Sequence, residues 1–268
     1  MNNNMIGVIG GMGPQASAEF YRILIDQARH TYGAKNNDEY PEIVMDSVPV
    51  PYFIGDTDRM EEAAQMLESR VRRLAAFGAT TITMACNTAC VLAERLQQQT
   101  HVPFVSIIDA VVKEVSRDAP RVLLLASPTS LRLGLYQLAL ARHNLPYIVP
   151  QETDYRELEY IIRGVLSGDD RAVLMKKLVK LVTGYRENEN IDGIVLGCTE
   201  LPLVFPSNFD LPVYNSLSSN RSGFSKTSSS RGYEVAVAIP RDCFATLAMT
   251  NPLLTPERLR FPFSQTPY

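Results

Sequence analysis

Apolar positions along the first 214 residues fall into two kinds of run that alternate. MIGVIG (5–10), EIVMD (42–46), TTITMA (80–85) and VPFVSII (102–108) are short, rich in β-branched residues and bounded by glycine, proline or polar residues. Such runs predict strands buried on both faces. Between them apolar residues recur three or four apart, which predicts amphipathic helices. Ala18, Tyr21, Ile25 and Ala28 mark the first stripe. Ala63, Met66, Leu67, Val71, Leu74 and Phe77 mark the second, with Gly78 as its stop. A short helix, VLAERLQQQ, separates the third run from the fourth.

The order then returns. VVKEVSRD (111–118) reads as a helix, RVLLLAS (121–127) as a strand matching MIGVIG, and PYIVP (146–150) as the counterpart of EIVMD. Asp154 and Glu157 offer a helix start, and Val173, Leu174, Leu178, Leu181 and Val182 mark the buried stripe of the helix after that. DGIVLG (192–197) and LPVYNS (211–216) close the repeat. The recurrence implies a duplication and predicts an α/β fold of two pseudo-symmetric Rossmann-like lobes, residues 1–106 and 107–214. Each lobe is a mostly parallel sheet flanked by helices, with a ligand cleft between the two at the carboxyl ends of the strands. Residues 215–268 break the pattern. Their serine-rich start, SLSSNRSGFSKTSSSRG, cannot bury enough apolar surface to fix itself, and the proline-rich end predicts a surface-bound or disordered tail.

Two loops stand out. GGMGPQAS follows the first strand, and its glycines let the backbone approach a ligand. Gly11, Gly13 and Ala16 match a dinucleotide-binding spacing, but the acid that should close the second strand is Asp46, too far along the chain. SVPVPYFIGD (47–56), with two prolines, a glycine and aromatic residues, predicts a lid over the cleft.

Charge narrows the partners. A net charge of −3 with no basic stripe disfavours nucleic acid, and the absence of an 18-residue apolar span disfavours a membrane. The polar amino-terminal start lacks a basic leader, so a cytoplasmic protein with reduced thiols is expected.

The chemistry lies in the cysteines. The third run of each half stops at a thiol: Cys86 with Asn87 and Thr88, and Cys198 with Thr199 and Glu200. A buried cysteine is ordinarily an inert small hydrophobe, a reading that suits Cys90 and leaves Cys243 without a role. Two cysteines in duplicated contexts need another account. No metal site is expected, since Cys86 and Cys90 have no third ligand near and His30, His101 and His143 are scattered. For the same reason a cysteine–histidine nucleophile has no base. Two thiols facing each other across a cleft can remove a proton from one face of a carbon acid and supply one to the other, which inverts the centre. Helix starts after each cysteine, with Asn87, Thr88, Thr199 and Glu200, offer hydrogen bonds to the thiolates.

GVIGGMGPQAS, ACNTA and GCTEL together resemble the cofactor-independent aspartate/glutamate racemase family over residues 5 to about 214, and the glycine-rich opening and Glu200 resemble its aspartate and broad-specificity branch. The resemblance implies an amino-acid racemase, with aspartate the expected substrate, no pyridoxal phosphate or other cofactor, and a homodimer. It implies that Cys86 takes the α-proton of the D enantiomer and Cys198 that of the L enantiomer. Met12, Gly13, Asn87, Thr88, Thr129, Thr199 and Glu200 would then hold the substrate. Family members acting on aspartate carry an arginine in the loop after the second strand and a lysine on the helix near residue 160. Here Arg163, and after it Arg59, are the basic residues at hand. A lyase of the same superfamily needs one thiol only, and an amino-acid-binding relative needs none.

Overall fold

The computed structural model describes residues 5–55, 57–118 and 121–217. The chain runs β1 (Met5–Gly10), α1 (Pro14–Tyr32), β2 (Glu42–Ser47), α2 (Met60–Phe77), β3 (Thr81–Met84), a 3-10 turn (Thr88–Leu92), α3 (Ala93–Gln97) and β4 (Phe104–Val105). It continues as α4 (Ile107–Asp118), β5 (Val122–Ala126), α5 (Pro128–Arg132), α6 (Leu135–Arg142), β6 (Tyr147–Ile148), α7 (Tyr155–Ser167), α8 (Arg171–Asn188), β7 (Gly193–Gly197), α9 (Leu201–Val204) and β8 (Val213–Asn215). Among the described residues no helix is long and apolar enough to cross a membrane.

Two four-stranded sheets result, ordered β2-β1-β3-β4 and β6-β5-β7-β8, with every pairing parallel. The order is the same in both, as the sequence repeat predicts. Strands β1, β3, β5 and β7 are buried along their whole length, because helices cover both faces. Each cysteine run is the third strand of its half and pairs directly with the first, so the loops after β1 and β3, and after β5 and β7, emerge side by side.

Helix ends follow local chemistry. Gly33, Gly78 and Gly168 take left-handed conformations that stop α1, α2 and α7. The Asp170 carboxylate caps α8 by accepting from the amides of Ala172 and Val173.

Several expectations need correction. The buried face of α1 is Ala16, Phe20, Ile23, Leu24 and Ala28, whereas Tyr21 is exposed. The expected stripe is rotated by about one residue: Phe20, Ile23 and Leu24 fill the space under the sheet, whereas Ala18 is exposed and Ile25 half-buried. VPFVSII is a strand only at Phe104–Val105. Ser106 accepts the Asp109 amide at 3.1 Å and turns Ile107 and Ile108 into the start of α4. VLAERLQQQ becomes a 3-10 turn and a five-residue helix. Val173 is 47% exposed, leaving Leu174, Leu178 and Val182 as the fully buried stripe of α8. Helix α7 starts near Asp154 as expected, but the Asp154 carboxylate accepts from the Tyr185 hydroxyl at 2.5 Å and Glu157 pairs with Lys177, so neither caps it.

One apolar cluster packs under the second sheet, and two pack on the faces of the first. They interlock. Ile54, from the loop after β2, lies in the second-sheet cluster, while Leu217, past β8, lies in one of the first-sheet clusters. The tail was expected from residue 215, but Asn215 closes β8, Ser216 is buried and Leu217 packs with the first sheet; residues 218–268, with Cys243, lie outside the described residues.

Candidate active site

The loop after β1 is shaped by its glycines. At Gly11, with φ +91°, a Cβ would fall 2.4 Å from the Val48 backbone nitrogen, so only glycine fits that approach. Ser17, in the first turn of α1, holds the loop from below: its hydroxyl accepts from the Gly11 amide at 2.9 Å and donates to the Gly13 carbonyl at 2.8 Å. The Gly13 amide then donates to Glu200 Oε1 at 3.1 Å, which ties the first half to the turn after β7. A Cβ on Gly13 would fall 2.3 Å from Leu166 Cδ2 and 3.0 Å from Glu200 Oε1.

Cys86 and Cys198 are 4% and 2% exposed, and Glu200 is 1% exposed. Glu200 gathers the polar groups around it. Its Oε2 accepts from the Cys198 thiol at 2.9 Å and the Thr199 hydroxyl at 3.1 Å. These donors and the Gly13 amide are all uncharged. Burial therefore raises the Glu200 carboxyl above the ordinary carboxylate range, against the pull of its hydrogen bonds. The same carboxylate acts on both thiols. Burial first, and then the Glu200 charge, push Cys86 up to about 12, opposed by the amides of Ala89 and Thr88. Cys198 is raised well above its usual value by burial, by the Glu200 charge and hydrogen bond, and by Cys86. Both are protonated thiols in this state.

The remaining expected residues form a second hydrogen-bonded group that also joins the halves. Thr88 and Ser127 share a hydroxyl–hydroxyl bond of 2.8 Å, and the Ser127 oxygen accepts the Ser130 amide at 3.2 Å, capping α5. Thr129 is buried beside them. Asn87 is engaged at both ends: Oδ1 accepts from the Tyr136 hydroxyl at 2.8 Å and Nδ2 donates to Ser216 Oγ at 3.1 Å. Met12 packs in the apolar cluster that contains Cys86 and Phe53.

The loop after β2 crosses from the first half to the second. The Ile54 carbonyl accepts the Thr129 amide at 3.0 Å, and the Gly55 carbonyl accepts from Arg132 at 2.7 Å. Tyr52 donates to Glu159 Oε1 at 3.0 Å, and the Arg163 guanidinium lies 3.8 Å from the centre of the Tyr52 ring. Arg163 also bonds Glu159 at 2.8 Å, and Arg59 bonds Glu62 at the exposed start of α2. Neither guanidinium is bonded to the cysteine turns. Ser127, Tyr136 and Ser216 went unrecognised in the sequence. Ser127 could have been found from its place after a buried strand, matching Gly11 in the first half. Tyr136 and Ser216 carry no such signal, because only the folded chain brings them to Asn87.

Two parallel sheets of one strand order, each ending its third strand in a buried thiol, define a duplicated α/β protein with a polar site where the halves meet. Residues 9–218 match the family model for Asp/Glu/hydantoin racemases, and the chain belongs to that family. The broad specificity amino-acid racemase RacX of Bacillus subtilis (strain 168) is 27% identical over 217 residues, 79% of this chain and 92% of its own. Among solved structures, Picrophilus torridus aspartate racemase superposes with a TM-score of 0.67 at 25% identity, over 80% of this chain and 89% of its own. An aspartate racemase homologue from Pyrococcus horikoshii OT3 gives 0.63 at 31% identity, over 80% and 94%.

Proposed function

We propose that the chain is an amino-acid racemase that needs no cofactor and inverts the α-carbon by proton transfer between Cys86 and Cys198. The observation that carries this reading is the pair of buried thiols, one ending the third strand of each half, with Glu200 bonded both to the Cys198 thiol and to the Gly13 amide of the first half. In the reaction one sulfur, as thiolate, takes the α-proton, and the bonding pair stays on carbon, spread into the carboxylate. The opposite thiol then gives its proton to the other face and becomes the thiolate. Substrate carboxylate meets uncharged donors, for which Thr88, Thr129, Thr199 and the Asn87 amide are the candidates. Met12 and Gly13 close the wall beside them. Glu200 takes the substrate ammonium. Pairing with that cation offsets the charge that raises both thiols, so binding itself favours thiolate formation.

Aspartate is the substrate to which the motifs point, and it stands in the names of the Picrophilus torridus and Pyrococcus horikoshii relatives. A second reading, broad specificity, draws on the occupied state of Arg163: Glu159 and Tyr52 already engage the guanidinium that a distal carboxylate would need. A cytoplasmic homodimer completes the proposal, the assembly being open to sedimentation of the full chain.

The test is α-proton exchange in deuterium oxide, with chiral analysis, for L- and D-aspartate and then glutamate and neutral amino acids, without pyridoxal phosphate. Exchange with inversion from both enantiomers is expected, and the preferred amino acid decides between the two specificities. Cys86→Ser and Cys198→Ser should each lower turnover in both directions by at least about a thousandfold, since each thiol serves as base one way and acid the other. A serine variant that still inverts its substrate would remove that cysteine from the mechanism.

A further inference from the structure

We propose that Tyr136 is a positioning residue that sets the separation of the two thiols, an inference that rests on the racemase reading above. Its ring and its hydroxyl each touch a different cysteine turn. The ring lies over Gly197, the residue before Cys198, so closely that a Cβ there would fall 2.8 Å from Cε2 and 2.9 Å from Cδ2. The hydroxyl donates to Oδ1 of Asn87, the residue after Cys86, at 2.8 Å. Between ring carbon and hydroxyl there is no rotatable bond that alters the span. One rigid side chain therefore gauges the distance from the end of β7 to the turn after β3.

The surroundings hold that gauge still. Tyr136 is fully buried in the second-sheet cluster, and its helix, α6, packs against the turn Thr88–Leu92. Asn87 is fixed from its other end by Ser216, so both of its partners belong to the second half. Burial raises the phenol well above its ordinary range, with the nearby thiols Cys90 and Cys198 adding to the effect, and the hydroxyl stays a donor.

Inversion makes this separation matter. Removing the α-proton needs one sulfur in place, whereas delivering a proton to the opposite face needs the second sulfur in place at the same time. Loosening the link between the turns therefore delays the second transfer relative to the first. The carbanion persists, the first sulfur exchanges its proton with solvent, and deuterium returns to the face from which the proton left.

The experiment compares the unmodified full-length chain with Tyr136→Phe, which keeps the ring and removes the hydroxyl. On the best substrate of the exchange panel, kcat, KM and the ratio of exchange with retention to exchange with inversion are measured in deuterium oxide. Tyr136→Phe is expected to lose about tenfold to a hundredfold in kcat, with KM nearly unchanged and the retention-to-inversion ratio raised severalfold. Gly197→Ala, which displaces the ring from its other side, should give the same signature. Tyr160→Phe, a hydroxyl deletion on the exposed face of α7, should leave all three values alone. Loss of activity with an unchanged ratio would reduce Tyr136 to a support of the fold and overturn the proposal, as would unchanged kcat and ratio. Should Tyr136→Phe not fold, the ratio in Gly197→Ala decides. An unmodified chain that exchanges no α-proton with any amino acid overturns the racemase reading and this inference with it, an outcome distinct from a normal parent with unaltered variants.

Discussion

At the scale of single residues, burial first and the Glu200 charge second raise both thiols. The resting enzyme holds both thiols protonated, with Cys86 pushed up to about 12. Turnover needs one of them as thiolate. Below the folded pKa the thiolate fraction grows tenfold per pH unit, so kcat/KM is expected to rise by about tenfold per unit between pH 6 and 9. Glu200→Gln removes the negative charge that raises both thiols, and an acid freed from a neighbouring anion ionises at lower pH. The rising limb should therefore move to lower pH even as loss of the ammonium partner raises KM. A limb that stays in place in pH–rate profiles of this variant would separate Glu200 from thiol ionisation. At this scale the sequence was informative wherever chemistry announces itself in a fixed local setting, as with a cysteine, a small polar residue and a threonine or acid ending an apolar run. It could not show that Asn87, a small polar neighbour of the thiol, spends both ends of its amide on Tyr136 and Ser216. Those partners are distant along the chain and meet it only through packing.

Among the elements, the loop from Val48 to Gly55 works as a strap. It starts in the first half and is fastened to the second through Thr129, Arg132, Glu159 and Arg163. Cys86 and Cys198 are both buried, and were this strap the lid that the sequence predicts, it would have to open before reagents or substrate reached the sulfurs. Tyr52→Ala removes a hydrogen bond and a guanidinium–ring contact, worth together about 1.5 kcal/mol at a half-buried position. Opening should become about tenfold more frequent. Site-resolved alkylation of Cys86 and Cys198 by iodoacetamide should accelerate by that factor, with a higher KM, and an unchanged labelling rate would show that access lies elsewhere. Proline and aromatic content predicts a lid here; what the structure adds are fastenings through the Ile54 and Gly55 carbonyls, which no residue pattern reveals. Strand identities were legible because buried parallel strands read as unbroken apolar runs. The face of α1 was less so, since its apolar residues crowd almost the whole circumference and only packing against the sheet selects the Ala16, Phe20, Ile23, Leu24 and Ala28 face. Likewise one serine, Ser106, converted an expected strand end into the first turn of α4.

For the whole molecule, the repeat in the sequence foretold two sheets of one strand order, and the family match agrees with that architecture. It did not foretell how tightly the halves are interleaved. Ile54 enters the core of the second sheet, and Leu203, Ile107 and Leu217 pack with the first. Calorimetry should accordingly show one cooperative unfolding transition, stabilised by about 2.7 kcal/mol when a bound amino acid is present at a hundred times its Kd. Two resolved transitions would mean that the halves unfold independently. The near-duplication also stops short at one place: Glu200 stands two residues after Cys198, whereas the matching position after Cys86 is Thr88. The strand order is repeated, while the carboxylate beside the thiol is not. Mirror-image amino acids have the same energy in water, so their equilibrium constant is one and a racemase must show equal kcat/KM for both. Glu200 can therefore give the net reaction no preferred direction. Whatever extra grip it lends one enantiomer has to reappear as slower turnover of that enantiomer, in the same proportion.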